Sequence, residues 1–146
     1  MRWLLDTNVI SEMRRPRPSP SVISWIENLT LADICTSAVN IAELRYGAGV
    51  VADGLLQIEI SSWIENSVRP WLTGRIYGVD ENTLMRWRYL SRRLASKREP
   101  TPPVDLLIAA VAQENSLSIA TRDTNPFIGT GVPVLNPWTG ERFNGA

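Results

Sequence analysis

Four carboxylates, Asp6, Glu43, Asp105 and Asp123, are the groups in this 146-residue chain best placed to do chemistry, and they must do it without histidine, because the chain has none. That absence removes Ser/His and Cys/His nucleophile pairs, imidazole acid–base catalysis and nearly all zinc sites. Each acid alone has an ordinary use. Asp6 and Asp123 can cap helices or shape turns, Asp105 suits the first turn of a helix by ~0.3–1 kcal/mol, and Glu43 can sit on a solvated helix face. Brought within a few ångströms of one another, however, the four would repel and raise one another's pKa values unless a cation sat among them. All-oxygen ligands suit hard ions such as Mg²⁺ or Mn²⁺. Such an ion activates water and stabilises charge on a phosphodiester, which is chemistry that needs no imidazole.

Whether the acids meet depends on the elements that carry them. The segment 2–6 reads as a short buried strand ending at Asp6. Val9, Ile10 and Met13 then mark a helix over 7–15 that stops at Pro16, Pro18 and Pro20. A helix is expected over 21–29, a strand over 34–36, and a helix from the N-cap Ser37 to about residue 46 or 49. An amphipathic helix over 53–69 and a strand over 75–79 follow. Leu84, Trp87, Leu90 and Leu94 form one stripe of a helix over 81–97, and Pro103 suits the start of another running to about 115. Strands over 117–121 and 132–135 close the pattern. Short apolar strands alternating with helices imply a parallel sheet covered on both faces, with ligands beyond the carboxyl ends of its strands. Asp6 and Asp123 emerge at that edge.

Composition narrows the class. The chain is 44% hydrophobic and 21% charged, near globular averages, and its length suits one domain over 1–146. Fifteen basic residues balance fifteen acidic ones, and Lys97 is the sole lysine. Zero net charge does not mark a general polyanion binder, so any nucleic-acid contact must come from local patches. The lone cysteine, Cys35, cannot form an internal disulfide and reads as a small core residue. The six tryptophans read as core and interface residues. No signal peptide and no membrane span are expected, which points to a soluble, cytoplasmic protein.

Four segments carry a resemblance. Leu5-Asp6-Thr7-Asn8-Val9-Ile10-Ser11-Glu12 resembles the opening motif of PIN-domain ribonucleases, specifically the VapC and FitB-type toxins of toxin–antitoxin modules. Residues 37–47 (SAVNIAELRYG), 104–110 (VDLLIAA) and 120–127 (ATRDTNPF) resemble their second, third and fourth motifs, and 134–138 (VLNPW) is also FitB-like. The family implies a three-layer α/β/α fold with a central, mostly parallel sheet of about five strands and an acidic pocket that binds Mg²⁺ or Mn²⁺. By position, Asp6, Glu43 and Asp105 match its three core acids and Asp123 the fourth acid of the FitB-like branch. Many relatives instead have Asn at that place and an acid three residues later, where this chain has Pro126. Thr7 and Thr121 match hydroxyl-bearing positions that support the pocket, with Asn8 beside them. The implied activity is hydrolysis of RNA phosphodiester bonds by a metal-activated water. The implied partners are a cognate antitoxin, an RNA substrate, a second copy in a homodimer, and promoter DNA only through the antitoxin complex.

Arg86, Arg88, Arg92, Arg93, Lys97 and Arg98 place six cations in thirteen residues, and Arg14, Arg15 and Arg17 form a second group. Both groups are candidate RNA or partner contacts, because the arginine fork matches phosphate. For the first group the competing reading is a solvated helix surface. Residues 47–52 fit G-x-G-x-x-A but follow a helix, so the strand context of a dinucleotide site is missing. A lysine after a strand, as receiver and phosphotransferase domains commonly use, is also missing. The remaining alternative is a non-catalytic PIN-like protein that acts only through a partner.

Overall fold

The computed structural model describes residues 1–145. Along strand β1 (Trp3–Leu5) the side chains alternate: Trp3 and Leu5 pack into one buried cluster and Leu4 into another, as the two-residue pleat requires of a strand covered on both faces. β1 pairs in parallel with β2 (Ile34–Ser37) and with β4 (Ser118–Ala120). β2 pairs with β3 (Ile76–Tyr77) and β4 with β5 (Pro133–Leu135), again in parallel.

The expected count of about five strands rises to six, in the order β3-β2-β1-β4-β5-β6. β6 (Arg142–Asn144) runs antiparallel to β5. It carries one apolar residue, so hydrophobic periodicity gives no sign of it. Its register comes from the preceding turn, where the Asn136 side chain accepts from the Trp138 N–H at 2.8 Å and Gly140 takes φ +80°.

On one face lie α1 (Thr7–Glu12), α2 (Pro20–Glu27), α3 (Ala38–Gly49), α4 (Gly54–Trp63) and α5 (Arg69–Trp71); on the other lie α6 (Glu81–Arg93) and α7 (Pro103–Glu114). The three-layer α/β/α expectation therefore matches the structure, with several ends moved inward. α1 and α6 each give way to turns before the expected ends at 15 and 97. The single helix expected over 53–69 is α4 followed by a π turn, Ile64–Val68, and then α5. Pro70, which has no N–H to donate one turn back, stands just after that widened turn.

Cys35 is buried, its thiol donates to the Trp3 carbonyl at 3.1 Å, and burial pushes its pKa up to about 11. It is a protonated core residue. The Trp3 and Trp25 rings meet edge to face at 5.4 Å, and the Trp87 indole donates to the Pro103 carbonyl at 3.1 Å. No helix among the described residues is long and apolar enough to cross a membrane.

Candidate functional site

The carboxyl ends of β1 and β4 lie side by side, with Leu5 opposite Ala120, and this register brings Asp6 and Thr121 together. Asp6 is both the residue after β1 and the N-cap of α1, where its Oδ1 accepts the Thr7 N–H at 2.8 Å. It is only 8% exposed. Its Oδ1 also accepts from Asn40 Nδ2 at 3.0 Å, and its Oδ2 accepts from Thr121 Oγ1 at 2.8 Å. Burial raises the Asp6 pKa above the usual carboxylate value, the bonds from Thr121, Thr7 and Asn40 oppose the rise, and repulsion from Asp123 adds to it.

Asn8 ties α1 to the loop after β4: its Nδ2 donates to Thr121 Oγ1 at 3.1 Å and its Oδ1 accepts from the Arg122 N–H at 3.1 Å. Thr121 Oγ1 also accepts the Asp123 N–H at 3.1 Å. One threonine hydroxyl thus fixes the buried acid and the turn that carries the exposed one.

Ser37 caps α3, and from there the helix runs Asn40, Ile41, Leu44 and Ala48 along its buried side. Glu43 lies at the exposed rim and accepts from Thr7 Oγ1 at 3.2 Å. Its pKa is raised by partial desolvation and by Asp6, against the pull of that hydroxyl. Asp105 enters from the first turn of α7. Partial burial and repulsion from Asp6, Glu43 and Asp123 push its pKa up to about 6.

The four acids predicted from sequence, with Thr7 and Asn8, therefore line one open hollow of about 300 Å³, closed on one side by Phe127. The donor set is entirely hard oxygen and its charges are uncompensated, which fits a divalent ion such as Mg²⁺ or Mn²⁺. Among the described residues no three acids stand close enough together to ligate one ion on their own. Water would complete the shell of an ion held here, as Mg²⁺ prefers.

Sequence reasoning missed Asn40. It is fully buried, its Nδ2 donates to both Asp6 Oδ1 and Thr7 Oγ1 (3.2 Å to the latter), and its Oδ1 accepts from the Ser37 hydroxyl. The available signal was a polar residue on the apolar stripe of α3, three positions after a cap.

The arginine-rich segment divides. Arg86 pairs with Glu114 at 3.3 Å, Arg93 Nη2 donates to the Gly129 and Thr130 carbonyls at 3.2 and 2.9 Å, and Lys97 donates to the Asn125 and Ile128 carbonyls at 3.3 and 3.1 Å. These three cations hold α6 and the turn after it to their neighbours. Arg88, Arg92 and Arg98 are exposed. None of the six is among the residues that line the acid hollow. A larger hollow of about 590 Å³ contains Arg45 and Arg69, but Glu65 lies 3.7 and 3.1 Å from them, and it has no second acid.

The profile of the PIN domain family matches residues 3–131. Toxin FitB of Neisseria gonorrhoeae is 38% identical over 135 residues, 92% of this chain and 97% of that protein. VapC ribonuclease Y4jK of Sinorhizobium fredii is 33% identical over 135 residues, covering 92% and 96%. The crystal structure of FitAcB from N. gonorrhoeae superimposes with a TM-score of 0.87 at 38% identity, covering 93% of this chain and 98% of the other. A structure of FitAB bound to an IR36 DNA fragment gives 0.86 at 36% identity, covering 93% and 95%.

Proposed function

The chain belongs to the PIN domain family, and on that premise we propose that it is a single PIN domain over 1–146 that acts as a divalent-metal-dependent ribonuclease, the toxin of a toxin–antitoxin pair. The observation that carries this reading is the convergence of Asp6, Glu43, Asp105 and Asp123, from four separate segments, on one hollow at the strand ends. A relative named VapC ribonuclease and one named Toxin FitB support the activity and the role.

Asp6 and Asp105 would hold Mg²⁺ or Mn²⁺, with Glu43 and Asp123 contributing directly or through water. The ion, when bound, supplies Lewis acidity toward the phosphodiester and a lowered pKa for water. The chain's own residues do the rest. Thr121, Asn40 and the Thr7 N–H keep the buried Asp6 carboxylate in one orientation. Glu43, exposed and held by the Thr7 hydroxyl, is placed to accept a proton from an attacking water. Asn8 keeps the 121–123 turn against α1.

The relatives of known structure include FitAB bound to a DNA fragment, which supports a cognate antitoxin as partner and DNA reached through that complex; a toxin homodimer and promoter DNA as the target belong to the proposal through the family resemblance alone. The test is RNA cleavage by the purified chain with Mg²⁺, Mn²⁺ or chelator, with Asp6→Asn as control. Metal-dependent cleavage that disappears in Asp6→Asn is expected. Cleavage that ignores the metal, or survives in Asp6→Asn, overturns the proposal.

A further inference from the structure

A second hollow, of about 250 Å³, adjoins the acid one and shares Thr7 and Glu43 with it. The bonded Thr7–Glu43 pair forms part of both walls. The far side is aliphatic and aromatic, with Ile60 and the half-buried ring of Trp63 from α4, while Arg14 adds a cation. Arg14 belongs to the group of three arginines visible in the sequence. Its nearest acid, Glu59, is 3.9 Å away and itself 70% exposed, which is a weak tie.

Gly47 lines the same hollow from α3. A Cβ added there meets nothing within 4 Å, and its φ is not in the left-handed region. Packing and backbone make no demand for glycine, which destabilises a helix interior relative to alanine. What the missing side chain provides is an open space beside the acids.

Resting on the ribonuclease reading above, we infer that this hollow receives the base of the nucleotide next to the scissile phosphate, laid against Trp63 with Arg14 toward the RNA backbone. An aromatic ring with a cation beside it is the pairing that single-stranded nucleic acid uses, because every base presents a π-face and every linkage a negative charge. Continuity with the acid hollow through Thr7 and Glu43 favours substrate over an unrelated ligand.

The test uses a short single-stranded RNA that the full chain cuts at one bond in Mn²⁺, resynthesised with an abasic nucleotide at each position in turn. Base removal at one position flanking the cut is expected to lower cleavage by about 5- to 150-fold, the range that base–aromatic stacking supplies. In Gly47→Met, whose new side chain fills the hollow from an exposed helical position, that penalty should nearly vanish. Trp63→Leu should remove it as well, and a circular-dichroism melt checks that both variants fold. If the unmodified chain cuts no RNA, the ribonuclease reading falls and this inference with it. If it cuts but no position is sensitive, or the same penalty persists in both variants, the base lies elsewhere and only this inference is overturned. A flat abasic profile, together with loss of a protein partner by Gly47→Met, would assign the hollow to a protein segment and also overturn it.

Discussion

Replacing Asp105 by Asn should make the metal-free protein more stable and the metal-loaded protein relatively less so. Asp105 is pushed from 3.8 to about 6 by burial and by three neighbouring carboxylates. For a group cut off from water that rise corresponds to about 3 kcal/mol. Asp105 is partly open to solvent, so screening leaves about 1–1.5 kcal/mol of destabilisation when it is ionised. Asn removes this, and also removes the carboxylate's favourable place in the first turn of α7, ~0.3–1 kcal/mol. The net gain is roughly 0–1.2 kcal/mol, centred on about 0.6 kcal/mol, or about 2 °C in melting temperature for a chain of this size.

The sign depends on pH. An acid whose pKa is higher in the folded state takes up its proton earlier there, so its contribution favours the fold at low pH and is lost as pH rises through about 6. The advantage of Asp105→Asn should therefore be fully present near pH 7.5, shrink as pH falls through about 6 to roughly half near pH 5, and vanish below 3.8, where the unfolded carboxyl is protonated as well. An ion at about one hundred times its Kd stabilises the protein that binds it by about 2.7 kcal/mol, enough to reverse the order once Mn²⁺ is added. Calorimetric melts in chelator and in Mn²⁺ at the two pH values measure all four quantities. A variant that melts at or below the parent in chelator near pH 7.5, or a gap that does not narrow at the lower pH, would refute the electrostatic argument.

Asn40→Ala removes one of the two donors to the buried Asp6 Oδ1 and leaves the buried Ser37 hydroxyl without its acceptor, and should cost about 1–3 kcal/mol in urea unfolding. It should also weaken Mn²⁺ binding by about 10- to 100-fold in calorimetric titration. Asp123→Asn, at an exposed position, should weaken Mn²⁺ by only about fivefold, less than Asp6→Asn does in the same titration. Glu12→Ala should destabilise by about 1–3 kcal/mol, because the buried Glu12 carboxylate accepts the Ser19 N–H at 2.8 Å and holds the proline-rich turn after α1; denaturant unfolding reads this directly.

The sequence made some parts of this site legible and hid others for physical reasons. Asp6, Asp105 and Asp123 stand out because each sits where a strand ends or a helix begins, and in a parallel sheet those places share one edge. Glu43 needed its helix: only the apolar run around it shows that a carboxylate there is at a rim. Asn40 stayed hidden because its function lies in bonds to Asp6 and Thr7, more than thirty residues away in the chain; its place beside the apolar stripe of α3 marks it as buried but does not say what it holds. The same limit applies to the arginines. A helical wheel shows that Arg93 leaves the apolar stripe of α6, but its partners are the carbonyls of Gly129 and Thr130, which only the tertiary fold supplies. β6 is set by a turn and by the open edge of β5, not by its own residues.

Lone-pair accounting on Asp6 constrains how an ion could sit. A carboxylate offers about four acceptor sites, and three on Asp6 are taken: two on Oδ1 by the Thr7 N–H and Asn40, and one on Oδ2 by Thr121. The remaining site, on Oδ2, allows one bond to an ion and rules out two while those hydrogen bonds hold. Glu43 has likewise committed Oε1 to Thr7. Asp6 therefore supplies at most one direct bond, which agrees with the spacing of the carboxylates and leaves the rest of the shell to the other acids and to water. A site that keeps water on its ion also keeps the nucleophile that hydrolysis needs, so the hydrogen bonds that orient Asp6 set how much of that water remains.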